Sequence, residues 1–271
     1  MSDFPDAPPP VAPPPESPGA FPDMIDSILL PGFCTGAGNL DLLKVFAALT
    51  GPHILDIGCY RGGATLALSL MGKRVEGITI GAFWPRRLSA ILAPRGITAT
   101  DIAFENYTPP APLDGIWASH VLQNSRNPGA FLDRCRAQLK DDGWLAVAVP
   151  PLRSRVVGGF ISPGWTLGGL MYALVAAGFD LKRGHFITHG HNVTAMVPKA
   201  AAVPARHADA FADPALWPMA FDRRRGFDGN IPDCNWPQEF RDRMATGLSE
   251  LAVDGPDIAL AEARRLVAIW V

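Results

Sequence analysis

The stretch ILDIGCYRGGAT, Ile54 to Thr65, is where the residue types of this chain first combine into something that can do chemistry. The run HILDIG reads as a short buried strand. It breaks into a turn holding Gly58 and Gly62, then into GGATLALSLMG, a predicted helix closed by Gly72. Gly58 and Gly62 carry no side chain, so the backbone can approach a ligand closely. The first N–H groups of the helix after Gly62 lack intrahelical acceptors and can receive an anionic group. In an open parallel sheet, ligands lie outside the carboxyl ends of the strands, near the point where strand order reverses. The turn therefore suits a nucleotide-like cofactor. A dinucleotide site would read G-x-G-x-x-G with an acid about 20 residues later. Tyr60 stands at the central glycine, which disfavours a nicotinamide-dependent oxidoreductase.

Other residues offer acid–base or ligand chemistry. His120 closes the apolar run DGIWASHV, so it would point from a strand tip. Histidine is the side chain most used as a general base; the alternative is a structural histidine capping the next turn. GHFITHGH brings His185, His189 and His191 together in sequence, a spacing that invites a zinc reading. On a strand, however, His185 and His189 share a face while the turn redirects His191, and no cysteine or carboxylate is near. No metal is expected; a substrate-facing histidine or plain hairpin packing fits better. Arg153 and Arg155 sit in a stretch without period, a solvated loop able to meet an acidic acceptor. Trp144, Trp165 and Tyr172 read as core.

These residues need a scaffold, and the sequence describes one. NLDLLKVFAALTG, from Asn39, has helical spacing of Leu42, Leu43, Val45, Phe46 and Leu49. After HILDIG and its helix come RVEGITI (strand), WPRRLSAILAPRG (helix), ITATDI (strand) and DGIWASHV (strand). NPGAFLDRCRAQLKDDG (helix) and GWLAVAVPP (strand) follow. Strand–helix alternation with short connections predicts a parallel sheet covered on both faces. PLRSRVVGGFISPG is an expected loop and GWTLGGLMYALVAAG a helix. FDLKRGHFITHG and HNVTAMVP form an antiparallel hairpin at the sheet edge, turning at Gly190.

The flanks differ. Residues 1–22 hold nine of the 27 prolines and read as an extended, disordered tail. Residues 23–198 form the predicted α/β domain and residues 199–271 a helical extension, with helices at Glu239–Leu251 and Asp257–Trp270. The last of these gathers Ile258, Ala261, Leu266, Ile269 and Trp270 on one side, a stripe that must be buried against the sheet or in a homodimer.

Composition limits the function classes. The chain has 271 residues, 48% of them hydrophobic, and its 18% charged content lies below the roughly 25% typical of soluble domains, so it is well cored. A net charge of −2 supplies no basic face for nucleic acid, and Arg223–Arg225 is too short a run to change that. Cys34, Cys59, Cys135 and Cys234 form no CxxC pair, which argues against a disulfide scaffold or zinc knuckle and for a reducing compartment. No basic start followed by an apolar core, and no apolar run of spanning length, is present. A cytoplasmic protein without a membrane span is the expectation.

Two separated blocks resemble the class I S-adenosylmethionine-dependent methyltransferases. The first is the acid–apolar–glycine turn Asp56, Ile57, Gly58, Cys59, Tyr60, Arg61, Gly62; the second is LDGIWASHVLQNSRNPGAFLDRCRAQLKDDGWLAVAVP, Leu113 to Pro150. The aromatic residue before RGG also looks like the macrocin-type sugar O-methyltransferases. The resemblance implies a Rossmann-like class I methyltransferase fold, S-adenosyl-L-methionine as cofactor and a small, hydroxyl-bearing acceptor, a sugar being one candidate. It implies that Asp56 organises the amino acid end of the cofactor, beside Gly58, Tyr60 and Gly62. Thr79 stands where the family carries the ribose acid. Asp101, with Ile102 beside it, matches the acid that bonds the adenine amino group. His120 is the candidate catalytic base. Because Tyr60 and Thr79 depart from the family pattern inside the cofactor pocket, the competing expectation is a non-catalytic binding or scaffold protein that has lost part of this site.

Overall fold

The computed structural model of the chain describes residues 39–60, 62–81, 93, 97–152, 156–157, 160–161, 164–189, 192–204, 213–218 and 233–234. Helix α1 (Asn39–Leu49) leads to β1 (His53–Ile57), α2 (Gly63–Leu70), β2 (Arg74–Thr79) and β3 (Thr98–Asp101). Then come β4 (Leu113–Ser119), α3 (Pro128–Gln138), β5 (Leu139–Val149), β6 (Val156–Val157) and β7 (Phe160–Ile161). Helix α4 (Leu167–Ala176), β8 (His185–His189), β9 (Asn192–Pro198) and β10 (Asp233–Cys234) complete the described elements.

Eight strands form one sheet in the order β10-β8-β9-β5-β4-β1-β2-β3. Strands β3, β2, β1, β4 and β5 run parallel. Strand β9 is antiparallel to β5, β8 to β9 and β10 to β8. The chain builds outward from β1 to β3 and then returns to lay β4 on the other side of β1. The strand order thus reverses between β1 and β4, and the carboxyl ends of these strands are where open α/β sheets take their ligands. The predicted Rossmann-like, mostly parallel sheet with an antiparallel hairpin is what is observed.

The packing explains the apolar runs. Every residue of β1 is buried, as in strands covered on both faces. On one face Leu55 and Ile57 join Phe131, Leu132 and Cys135 of α3 and Leu170, Met171 and Leu174 of α4. On the other, Ile54 meets Leu42 and Phe46 of α1 and Ala67 and Leu68 of α2. Each such side chain contributes about 1.5–3 kcal/mol relative to exposure. Gly115 in β4 makes room for Phe46: a Cβ there would lie 2.8 Å from Phe46 Cζ. The Phe46 ring instead tilts against Trp117, centroids 5.5 Å apart. Helix α3 starts where Asn127 accepts a hydrogen bond from the Ala130 N–H and Pro128 takes the first helical position. Thr166 caps α4 in the same way, accepting from Gly169 N–H.

Three details differ from expectation. Helix α3 stops at Gln138 rather than running to Gly143, because Leu139 is buried and already belongs to β5, where it pairs with Leu113 of β4. Gly143 belongs to that strand and approaches the Leu113 carbonyl so closely that a Cβ would stand 3.0 Å from the oxygen. The expected loop after β5 contains the antiparallel pair β6–β7. The hairpin β8–β9 is not outermost, since β10, from the predicted helical extension, pairs with β8. The proline-rich tail, the helix predicted at 84–96 apart from residue 93, the helices predicted at 239–251 and 257–270, Arg61, Arg153, Arg155, His191 and Arg223–Arg225 lie outside the described residues. Among the described residues, no helix is long and apolar enough to cross a membrane.

Candidate functional site

The turn after β1 is tied to β2 by two amides. Gly58 N–H and Cys59 N–H both donate to the Ile78 carbonyl, at 2.7 and 3.0 Å. Gly62 N–H then closes on the Cys59 carbonyl at 2.6 Å. This path forces the left-handed region: φ is +73° at Gly58, +43° at Tyr60 and +79° at Gly62. Glycine adopts it freely, whereas Tyr60 is strained. Gly58 is also the contact between the two strand tips at the reversal point, since a Cβ there would lie 2.5 Å from Val121 Cγ2.

Asp56 faces inward. It is 2% exposed and accepts a 2.6 Å hydrogen bond from Thr65 Oγ1, with the Thr65 backbone N–H adding to it. Burial pushes its carboxyl up to about 6 against the opposing pull of these bonds. Asp56 therefore braces the turn from beneath. With the Thr65 amide committed to Asp56, the Gly63 and Ala64 amides are the helix-start donors left without a partner among the described residues. Cys59 is buried, and burial next to the Asp56 charge drives its thiol far up, so it is no nucleophile.

At the ends of β2 and β3, Thr79 and Asp101 are register partners. Thr79 is buried, Asp101 exposed. Ile102 N–H donates to the Thr79 carbonyl at 3.0 Å, and Ile102 packs partly buried against the core. Gly81 N–H donates to Asp101 Oδ1 at 2.8 Å, which draws the carboxylate toward β2. Between Thr79 and Gly81, Ile80 is 75% exposed, the most exposed large apolar side chain described. Sequence reading passed over Ile80; the signal was an apolar residue placed just beyond the last paired residue of a strand.

His120 follows β4. Its φ is +56°, and with Tyr60 it is one of two non-glycine residues of positive φ among those described. Its N–H donates to the Ala148 carbonyl at 2.8 Å, and its carbonyl accepts from Gln123 Nε2 and Asn124 Nδ2, at 2.7 and 3.3 Å. The ring Nε2 lies 2.6 Å from Asn192 Oδ1. An amide oxygen only accepts, so Nε2 carries a proton. Nδ1 is buried without a partner. Asn192 opens β9 beside the carboxyl ends of β4 and β5, which is how a residue 72 positions away reaches His120.

The structure separates the other candidates. His185 begins β8 and stacks on Trp144, centroids 6.0 Å apart, so it lies at the other end of the strands from His120. Trp165 and Tyr172 pack against the core, as expected. Among the described residues, no group of three or more histidine, cysteine, aspartate or glutamate side chains is arranged to hold a metal.

Comparison with known proteins agrees with this geometry. Residues 36–209, more than half of the chain, match a family model described as a methyltransferase domain. The ubiquinone biosynthesis O-methyltransferase of Rhodopseudomonas palustris (strain TIE-1) is 31% identical over 107 residues, covering 39% of this chain and 42% of that protein. A sphingolipid C9-methyltransferase of Candida albicans is 31% identical over 129 residues, covering 43% of this chain and 24% of that protein. The chain thus spans less than half the length of these curated relatives. Two solved structures share the fold. The magnesium protoporphyrin IX methyltransferase of Synechocystis PCC 6803, with bound SAH, has a TM-score of 0.50 at 15% identity, covering 66% of this chain and 94% of that one. The (4+2)-cyclase SpnF has a TM-score of 0.50 at 16% identity, covering 68% and 94%.

Proposed function

The chain belongs to the methyltransferase-domain family, and from that premise we propose that it transfers a methyl group from S-adenosyl-L-methionine to a hydroxyl of a small acceptor. The observation that carries this reading is a coincidence of strain and topology. The two positive-φ non-glycine residues among those described, Tyr60 and His120, follow β1 and β4, the strands between which strand order reverses. Backbone strain of this kind costs about 1–3 kcal/mol per residue and collects at functional sites.

The residues fit the cofactor. Val121 packs into the space that Gly58 leaves, and the Gly63 and Ala64 amides are donors for the cofactor's carboxylate. Ile80 offers an exposed apolar surface to the adenine ring, and Asp101 offers a carboxylate to hydrogen-bond donors of the cofactor. When bound, the cofactor supplies an electrophilic methyl group on sulfur. What the chain adds is alignment, an effect that can reach about 7–11 kcal/mol, and a base. His120 is that base, held at Nε2 by Asn192. The O-methyltransferases among the curated relatives support an oxygen acceptor.

A second reading is a binding protein on the same fold. It is favoured by Thr79, a neutral residue at the β2 tip, and by the fact that one fold hosts many functions. Calorimetry with S-adenosylmethionine, S-adenosylhomocysteine and NAD separates the readings, followed by radiolabelled methyl transfer to a panel of small phenols and sugars. Binding of the first two and labelling that disappears in His120→Ala is the expected result. Absence of binding at millimolar concentration refutes the proposal.

A further inference from the structure

We infer that Asp101 holds the ribose diol of the cofactor, reaching across from β3 to do at the tip of β2 what Thr79 cannot do there; this rests on the cofactor reading above. Parallel strands lie about 4.8 Å apart, and residues in register project to the same face. Thr79 and Asp101 are such a pair. The Asp101 carboxylate does not stand out over its own edge strand. Oδ1 accepts the Gly81 N–H at 2.8 Å, and Gly81 continues β2 two residues beyond Thr79, so the carboxylate leans back over β2. Among the described residues Oδ2 has no partner, and Oδ1 keeps a second lone pair. A vicinal diol needs two such acceptor sites side by side.

The order of groups in the cofactor favours the ribose over the adenine amine. Its amino acid end belongs at the free amides of α2, beside β1. The ribose is the next polar group along, and one strand spacing takes it to the tip of β2. There Thr79, nine-tenths buried, offers one neutral hydroxyl with no hydrogen-bond partner among the described residues. Ile80, three-quarters exposed next to it, is an apolar surface suited to a ring face and not to a hydroxyl pair. Among the described residues, Asp101 is therefore the carboxylate drawn to the position where the diol arrives.

The test is calorimetric and needs no acceptor. The full chain is titrated with S-adenosylhomocysteine, with its 3′-deoxy analogue, and with S-inosylhomocysteine, in which the adenine amine is replaced by oxygen. The 3′-deoxy analogue is expected to bind the wild-type protein about ten- to a hundredfold more weakly, the range for hydrogen bonds to a charged group. In Asp101→Asn that penalty should vanish, while the penalty for S-inosylhomocysteine stays as in wild type. The double variant Asp101→Asn with Thr79→Asp moves the acid back to β2 and should restore the 3′-deoxy penalty. This guards against a variant that merely distorts the pocket. If Asp101→Asn instead removes the S-inosylhomocysteine penalty, Asp101 is the adenine acid and the inference is wrong. It is equally wrong if both penalties survive or both vanish. If the wild-type chain binds none of the three, the cofactor reading itself falls, an outcome distinct from any of these.

Discussion

Thr65 Oγ1 donates a 2.6 Å hydrogen bond to Asp56 Oδ2, joining the end of β1 to the first turn of α2 inside the core. Asp56 is buried, and its carboxyl lies at about 6 in the folded chain against 3.8 for the ordinary group. Below pH 3.8 both folded and unfolded chains hold this proton, and Asp56 adds no pH dependence. Between 3.8 and about 6 the folded chain keeps a proton that the unfolded chain has released, so stability falls as pH rises through this window. Above it the cost is fully present, at most about 3 kcal/mol for a shift of this size. Urea denaturation at intervals from pH 4 to 7 should show this slope in the wild type and lose it in Asp56→Asn. Parallel profiles for the two proteins would exclude Asp56 as its source.

Gly58→Ala should damage the site more than the fold. The new Cβ meets Val121 Cγ2 at 2.5 Å while φ stays at +73°, so both the turn and the β4 tip must shift. The left-handed conformation alone costs about 1–2 kcal/mol for a residue with a Cβ. The variant is expected to remain folded by circular dichroism and to lose measurable S-adenosylhomocysteine binding. Wild-type affinity would show that the turn does not contact the cofactor.

The parallel half of the sheet was legible because burial on both faces turns its strands into apolar runs, and Gly58 and Gly62 punctuate the first of them. The inward aim of Asp56 was legible in part. Ile54 and Asp56 share a face by alternation, but the partner that makes a buried carboxylate tolerable, Thr65, is found only once α2 folds back. The early start of β5 was hidden by Lys140, Asp141 and Asp142, exposed residues that read as a helix end. Strand β10, two residues long, leaves no period to detect. Strain at His120 depends on what surrounds it: the bonds to Ala148, Gln123 and Asn124 hold φ at +56°, and none is visible in local propensity.

His120 and Asn192 should be energetically coupled. Their 2.6 Å bond spans the tips of β4 and β9. In a double-mutant cycle with His120→Ala and Asn192→Ala, the coupling is expected at about 0.5–1.5 kcal/mol. Because φ is +56°, His120→Gly should be more stable than His120→Ala by about 1 kcal/mol. Both His120 variants are expected to bind S-adenosylhomocysteine as wild type does and to fail in methyl transfer. Additive stabilities would mean that the bond does not form in solution. Retained transfer would remove His120 as the base.

Arg136 provides the contrasting case, a cation whose work is structural. It lies in the last turn of α3, donating from Nε to the Gly178 carbonyl at 3.0 Å and from Nη2 to the Ala200 carbonyl at 2.8 Å. One guanidinium thereby joins α3, the chain just past α4 and the chain leaving β9. Gly178 is shaped to this: φ is +84°, and a Cβ there would lie 2.7 Å from Arg136 Nε. The end of α3 leads directly into the start of β5, so these bonds lie at the amino edge of the parallel strands, opposite the Gly58 turn. Arg136→Met keeps much of the apolar stem and removes both bonds, at a cost of about 1.5–3 kcal/mol. A lysine has one ammonium where the arginine fork reaches two carbonyls, so Arg136→Lys should recover only part of that loss. The urea midpoint should fall in the order wild type, Arg136→Lys, Arg136→Met, with the S-adenosylhomocysteine dissociation constant unchanged throughout. A weakened cofactor affinity at unaltered stability would place Arg136 in the binding machinery and contradict its position at the far edge of the sheet.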